Sequence, residues 1–251
     1  MKDLYINELC IEVTRKCNLK CLHCMRGDSQ NINLDVNSVE KFFNSNSYNI
    51  VGVNRLVLTG GEPTLNPQSI LKIIKEIIDN NIQIKSFVMV INGSNYNQEL
   101  IDGLNKLYNY KQQYDNRDTF EITCSQDQYH KQPKQDILEK YYQLSYFKSH
   151  YQELSYKDII CIGRAYQNNL GMISSYYIYN ELLNNYINHN YPNKYDDSQT
   201  IFLDKLYLSS KGMFGFYIMD ATYDMIDNIC IYNQNDLETL LLNKNKVKRR
   251  K

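Results

Sequence analysis

The 251-residue chain has no tryptophan, no excess of charge of either sign and no run approaching the ~20 apolar residues of a membrane span. Met1 to Tyr5 is charged where a secretory leader would be apolar, so a cytoplasmic protein is expected. The 28 basic and 28 acidic residues give no push toward nucleic acid or an anionic membrane. No low-complexity linker divides the chain, no short repeat runs through it, and no nucleic-acid module accompanies its tyrosines. The missing tryptophan, beside abundant Asn, Lys, Ile and Tyr, reads as a nucleotide bias of the source rather than as function.

The length suits one large domain, or one domain with a small C-terminal extension. The expected division is a core over residues 1–195, an extension over 196–243 and a basic tail over 244–251. The tail holds Lys244, Lys246, Lys248, Arg249, Arg250 and Lys251; taking those six from 28 leaves 22 basic against 28 acidic residues in the body. A terminal basic run is ordinarily a solvated tail and does not steer the functional reading.

Seven cysteines, an odd number, are not a disulfide framework in a reducing compartment. Cys10, Cys124, Cys161 and Cys230 are scattered and read as small buried apolar residues. The other three stand together in Cys17-Asn18-Leu19-Lys20-Cys21-Leu22-His23-Cys24. Four extended residues reach roughly 14 Å at most, so a modest curl brings all three sulfurs onto one small inorganic object. A structural zinc site wants four closed ligands, and no second Cys-x-x-Cys or His-x-x-x-His follows at finger distance. His23 is the nearby candidate for a fourth ligand, although binding one ion together with its neighbour Cys24 is strained. A four-iron cluster on three thiolates leaves one iron open. Zinc and a plain thiol loop remain alternatives on this stretch alone.

Strand and helix patterns alternate along the chain. Strands are expected at Leu9–Thr14, Arg55–Thr59, Ile84–Ile91 and Phe120–Cys124, with a less regular fifth at Leu154–Ile162. Helices are expected at Asn37–Phe43, capped by Asn37 with Glu40 in a capping box, and at Pro67–Asp79, with Ile70, Ile73, Ile74, Ile77 and Ile78 on one face. Further helices are expected at Asn97–Tyr108 and Pro133–Tyr146. This order predicts an α/β fold, a partial (β/α)6 barrel of parallel strands whose reactive loops gather at the C-terminal strand ends. A hairpin around Lys211-Gly212 within Leu206–Tyr217, then a helix over Asp236–Leu242, makes a small extension.

The motifs sit at those strand ends. Gly60-Gly61-Glu62-Pro63 follows the second strand, where two glycines permit close backbone approach. Val90-Ile91-Asn92-Gly93 ends the third, and Cys124-Ser125-Gln126-Asp127-Gln128-Tyr129-His130 ends the fourth. Gly163-Arg164-Ala165 follows the fifth. Each has a plain alternative: a strand-to-helix turn, a polar turn, or a surface arginine.

Cys17, Cys21 and Cys24, with three residues in the first gap and two in the second, resemble the signature of the radical S-adenosylmethionine (radical SAM) superfamily. Gly60-Gly61-Glu62-Pro63 resembles that family's second motif, and the segment at Asn92-Gly93 resembles a third, with Ile91 in place of its hydroxyl residue. The resemblance implies one 4Fe–4S cluster on Cys17, Cys21 and Cys24, with S-adenosylmethionine completing the open iron. It implies Gly60, Gly61, Glu62 and Pro63 at the methionine end, with Asn92, Ser125, Asp127 and Arg164 as further contacts and His130 facing substrate. It also implies an electron from a flavodoxin- or ferredoxin-type reductant and a 5′-deoxyadenosyl radical that takes hydrogen from substrate, so no protein nucleophile is required. The Gly-Arg-Ala segment and the hairpin resemble those of peptide-modifying members, which favours a peptide or protein substrate. The auxiliary-cluster cysteines of those members are absent, because beyond Cys161 only Cys230 remains.

Rival readings are a glycyl-radical-enzyme activase, a nucleotide- or tRNA-modifying member, and a non-enzymatic module that uses its cysteines structurally. The tyrosines from Tyr141 to Tyr195, among them Tyr176, Tyr177, Tyr179, Tyr186 and Tyr191, are expected mostly to pack helices.

Overall fold

The computed structural model describes residues 1–117, 119–172, 200–216 and 221–242. Its elements are β1 (Lys2–Thr14), α1 (Val36–Phe43), β2 (Tyr48–Gly60), α2 (Pro67–Asp79), β3 (Gln83–Ile91), α3 (Gln98–Gln112), β4 (Phe120–Cys124), α4 (Gln135–Tyr141), β5 (Phe147–Ser149), α5 (Arg164–Gln167), β6 (Thr200–Leu208), β7 (Phe214–Gly215), α6 (Tyr223–Ile229) and α7 (Gln234–Leu242). One seven-stranded sheet runs in the order β5-β4-β3-β2-β1-β6-β7. Every neighbouring pair is parallel except β6 with β7, and the sheet does not close. The expected parallel α/β architecture is borne out.

Strand β1 is the axis. It pairs with β2 on one side and β6 on the other, and Leu4, Ile6, Leu9, Ile11 and Val13 are wholly buried. The sequence pattern showed only its last six residues as strand, because Lys2, Asp3, Asn7 and Glu8 interrupt the apolar run. Partners across the sheet absorb that polarity. Asn54 donates to Asn7 (3.0 Å) and Asn7 to Asp204 (2.9 Å), while Arg55 lies 3.3 Å from Glu8.

The helices follow the apolar periodicity. Ile70, Ile73, Ile74 and Ile77 of α2 enter the core, and Asn97 caps α3 by accepting from the Leu100 N–H (2.9 Å). Helix α1 departs from expectation: Asp35, not Asn37, occupies the cap without a side-chain bond, and Glu40 reaches Lys72 (2.9 Å) instead of closing a capping box. Helix α4 stops at Tyr141, because the chain must turn to bring Phe147 into the sheet beside Ile122.

That turn also corrects the fifth strand. Phe147–Ser149 takes the edge beside β4, whereas the expected stretch Leu154–Ile162 holds a single helical turn at Tyr156–Asp158 and one isolated bridge from Ile160 to Met172. The hairpin at Lys211-Gly212 is present, but its first strand is β6, which joins the parallel sheet against Asp3–Ile11 rather than standing apart. Helix α6 had no clear signal in the sequence. Tyr141 and Tyr146 pack in the core with their hydroxyls on Asn95 O (2.9 Å) and Asn105 Oδ1 (2.7 Å). Tyr176, Tyr177, Tyr179, Tyr186, Tyr191 and the basic tail lie outside the described residues. Among the described residues no helix is long and apolar enough to cross a membrane.

Candidate cluster-binding loop and strand mouths

The loop carrying Cys17, Cys21 and Cys24 leaves the C-terminal end of β1, and its root is fixed by buried charge. Arg15 is wholly buried; its Nε lies 2.7 Å from Glu12 Oε1, and its Nη1 and Nη2 donate to Asp227 of α6 at 3.0 and 2.8 Å. Gln30 takes a further bond at 3.0 Å, and the Tyr223 ring lies 4.8 Å beneath the guanidinium. Glu12 in turn accepts from Ser210 Oγ (2.6 Å), Ser210 N (3.1 Å) and Tyr207 Oη (3.1 Å). The segment from β6 to α6 is therefore built into the floor of the loop.

The loop backbone is tied at both ends. Ser29 Oγ accepts from the Cys17 N–H (2.8 Å), and the Gly61 and Glu62 N–H groups donate to the carbonyls of Thr14 (2.8 Å) and Lys16 (2.7 Å). A Cβ on Gly60 would lie 2.2 Å from Thr14 O, and one on Gly61 2.3 Å from Lys16 O. The two glycines thus make room first for the protein's own cysteine loop. At the other end the Arg164 N–H donates to Cys24 O (2.9 Å), and Gly163, at φ 59°, lies where a Cβ would be 2.3 Å from Met25 O.

Glu62 faces inward. Its buried carboxylate accepts from Thr64 Oγ1 (2.6 Å), Thr64 N (3.2 Å) and Asn92 N (2.7 Å), which locks the mouths of β2 and β3 together. Burial raises its pKa, and these donors oppose the shift. Asn92 continues the chain of bonds: its Nδ2 donates to Asn18 Oδ1 (2.9 Å) and lies 4.0 Å from Cys17 Sγ, while Ser94 Oγ accepts from Asn18 Nδ2 (2.7 Å). Pro63 is buried in the turn that follows. Ser125 is held by its N–H on Ile91 O (2.9 Å).

The three thiols are free and half-buried. Burial raises the Cys17 and Cys21 pKa values, that of Cys21 to about 11, and the charges of the neighbouring thiolates add to the shift. Three free thiols on one loop anchored at each end are a donor set suited to a cluster with an open position. Arg164 supports the fit of an anionic group beside them. It is buried, its Nε has no hydrogen-bond partner among the described residues, and the exposed Asp28 lies 3.7 Å from its Nη1. A guanidinium in that state is ready for a carboxylate.

Several working residues escaped sequence reasoning: Glu12, Arg15, Asn18, Ser29, Ser94, Ser210 and Asp227. Arg15 and Ser29 flank the cysteines and were within reach of a closer reading. Ser210 and Asp227 carry no local signal. Of the scattered cysteines, Cys10, Cys124 and Cys230 are buried as expected, but Cys161 is half-exposed. Asp127 and His130 are brought together with His23 beside the loop, with His23 Nε2 3.6 Å from Asp127 Oδ2. An open cleft of about 400 Å³ lies alongside, lined by Asn18, Leu19, Lys20, Cys21, Tyr129 and Lys131.

Residues 11–114 match the family model described as the radical SAM superfamily. The match takes in Cys17, Cys21, Cys24, Gly60–Pro63 and Asn92, and ends before Ser125 and Arg164. A probable GTP 3′,8-cyclase of Archaeoglobus fulgidus is 31% identical over 96 residues, covering 37% of this chain and 31% of the relative. A GTP 3′,8-cyclase of Desulforamulus reducens is 31% identical over 122 residues, 46% of this chain and 37% of the relative. The chain thus spans about a third of the length of these curated relatives. A solved structure, Streptococcus suis SuiB bound to precursor peptide SuiA, aligns at 18% identity and a TM-score of 0.34 over 49% of this chain and 25% of that one.

Proposed function

We propose that the protein, whose residues 11–114 match the radical SAM superfamily model, is a radical SAM enzyme that takes hydrogen from a peptide or protein substrate. The family uses a 4Fe–4S cluster and S-adenosylmethionine, which together supply a 5′-deoxyadenosyl radical when bound. Cys17, Cys21 and Cys24 are the residues that would hold the cluster. The observation that carries the reading is their placement on one loop fixed between the Gly60-Gly61 turn and the Gly163-Arg164 turn, with no disulfide.

The other residues bind and orient. Gly60, Gly61 and Pro63 shape the turn beside the methionine end, and Glu62 acts there by holding the Asn92 N–H in place. Asn92 and Ser125 stand at the mouths of β3 and β4 for polar contacts to the cofactor, with Asp127 two residues on. Arg164 offers a carboxylate its Nε, which has no hydrogen-bond partner among the described residues. A flavodoxin- or ferredoxin-type partner is the expected electron donor.

The peptide reading is supported by the Gly163-Arg164-Ala165 segment and the β6–β7 hairpin, which resemble those of peptide-modifying members. A nucleotide substrate is the second reading, favoured by the GTP 3′,8-cyclase relatives and by Lys20 and Lys131 lining the cleft.

Anaerobic reconstitution with iron and sulfide, followed by dithionite and S-adenosylmethionine, tests the chemistry. 5′-Deoxyadenosine is expected from the wild type and not from Cys24→Ala. No cleavage by fully reconstituted protein, or equal cleavage by the variant, overturns the reading. Supplying perdeuterated cell extract as separate peptide, protein and nucleotide fractions then sorts the substrates. Deuterium in the 5′-deoxyadenosine from a peptide or protein fraction supports the first reading, and deuterium from the nucleotide fraction alone replaces it with the second.

A further inference from the structure

Beside the thiolate loop, three potential metal ligands from two separate segments converge. Asp127, at the mouth of β4, is 5% exposed, and its Oδ1 accepts from the backbone N–H groups of Tyr129 (2.8 Å) and His130 (3.1 Å). The turn thereby presents Oδ2 to two imidazoles: His130 Nδ1 at 2.5 Å and His23 Nε2 at 3.6 Å. One donor atom from each of the three residues lies within 4.8 Å of the others. The two rings meet edge to face at 4.8 Å between centroids, and Tyr129 packs on His23 at 5.2 Å.

A hydrogen-bonded Asp-His pair accounts for His130 but not for His23. The His23 Nε2 is beyond hydrogen-bond range of the carboxylate, and its Nδ1 is buried with no hydrogen-bond partner among the described residues. Ligands at about 2.0–2.2 Å from one ion stand about 3 to 3.5 Å apart, so small side-chain rotations bring the three atoms onto a common centre. Two imidazoles and one carboxylate are a donor set for zinc or ferrous iron that leaves coordination positions open.

We propose that His23, Asp127 and His130 bind one divalent transition-metal ion, distinct from the cluster on Cys17, Cys21 and Cys24. Because His23 lies between Cys21 and Cys24, the ion sits beside the thiolate loop, and Tyr129 carries the same turn into the lining of the open cleft. An oxygen or nitrogen atom of a molecule in that cleft can take an open position on the metal. Asp127 then meets the cofactor or substrate through the ion.

Binding of the ion does not depend on the radical reaction proposed above, so the two fail separately. The cluster-reconstituted protein, washed with chelator under anaerobic conditions, is titrated with cobalt(II) and read by its ligand-field absorption and by metal analysis after dialysis. About one equivalent of cobalt is expected, with bands of nitrogen and oxygen donors. Asp127→Asn, His130→Gln and His23→Phe should each weaken binding at least tenfold, while Cys24→Ala retains it. Circular dichroism identifies any variant that fails to fold, and His130→Gln, which keeps a hydrogen-bonding side chain beside Asp127, is the mildest of the three. No cobalt retained by the wild type, undiminished binding in the folded variants, or a thiolate-to-cobalt charge-transfer band that disappears in Cys24→Ala would each overturn the proposal.

Discussion

Asp227 grips Arg15 across 212 residues of sequence, through two N–H···O bonds of 3.0 and 2.8 Å. The arginine stands two residues before the first cysteine of the loop, and the aspartate lies on α6. Burial opposes the charge on Arg15, but the bonds from Asp227 and Glu12 hold its pKa above the ordinary value.

Removing the aspartate should unfasten the loop from below. Asp227→Ala leaves a buried guanidinium with Glu12 as its one carboxylate, and breaking such a pair costs about 3 kcal/mol. Urea unfolding should show that loss, and the variant should retain less iron after reconstitution. Lys75→Ala is the control. Its pair with Asp79 on α2 is exposed and screened by water, so the variant should unfold as the wild type does and keep its iron.

The same contact sets a pH dependence. Burial opposes ionisation of Asp227, but its bonds from Arg15 and Lys211 hold its pKa below the ordinary value. A depressed carboxylate stabilises the fold above its unfolded pKa of about 3.9, and the contribution disappears as pH falls through the lower folded value. The gap in unfolding free energy between wild type and Asp227→Asn should therefore stay constant from about pH 7 to 5 and narrow below about pH 4. A gap that widens in acid contradicts the assignment.

Gly60→Ala and Gly61→Ala should each displace the cysteine loop, since the new methyl would stand 2.2 and 2.3 Å from carbonyl oxygens of Thr14 and Lys16. Both variants should lose cluster content and melt earlier. Gly27→Ala, with no atom within 4 Å of the added carbon, should carry only the strain of its φ of 91°, about 1 kcal/mol, and keep its iron. Equal iron content in all three proteins would remove the steric account.

Glu62→Gln exchanges an oxygen that only accepts for an amide that must place one donor among the Thr64 and Asn92 N–H groups. A buried mismatch of this kind costs roughly 1–3 kcal/mol. Amide exchange should accelerate at Asn92 and Thr64 before it does so in β1. Unchanged protection at Asn92 would mean that the carboxylate does not hold the two strand mouths together.

The strands and helices with a clean period were legible from residues alone. Phe120–Cys124 and Pro67–Asp79 form as read, because alternating burial and an isoleucine stripe are local properties of the chain. β1 was read at half its length, because its polar residues find their partners, Asn54 and Asp204, only on neighbouring strands. The edge strand at Phe147–Ser149 was missed, since three residues carry too little pattern to compete with the helix running toward them.

The spacing of Cys17, Cys21 and Cys24 and the glycine pair at 60 and 61 were set by sequence alone, because ligand spacing and backbone freedom belong to consecutive residues. Tertiary structure decided what surrounds them. It directed Glu62 inward, docked Gly163-Arg164 on Cys24, joined β6 to β1, and brought Asp227 to Arg15 and Asp127 with His130 to His23. Those pairings depend on distance through space, which the order of residues does not record.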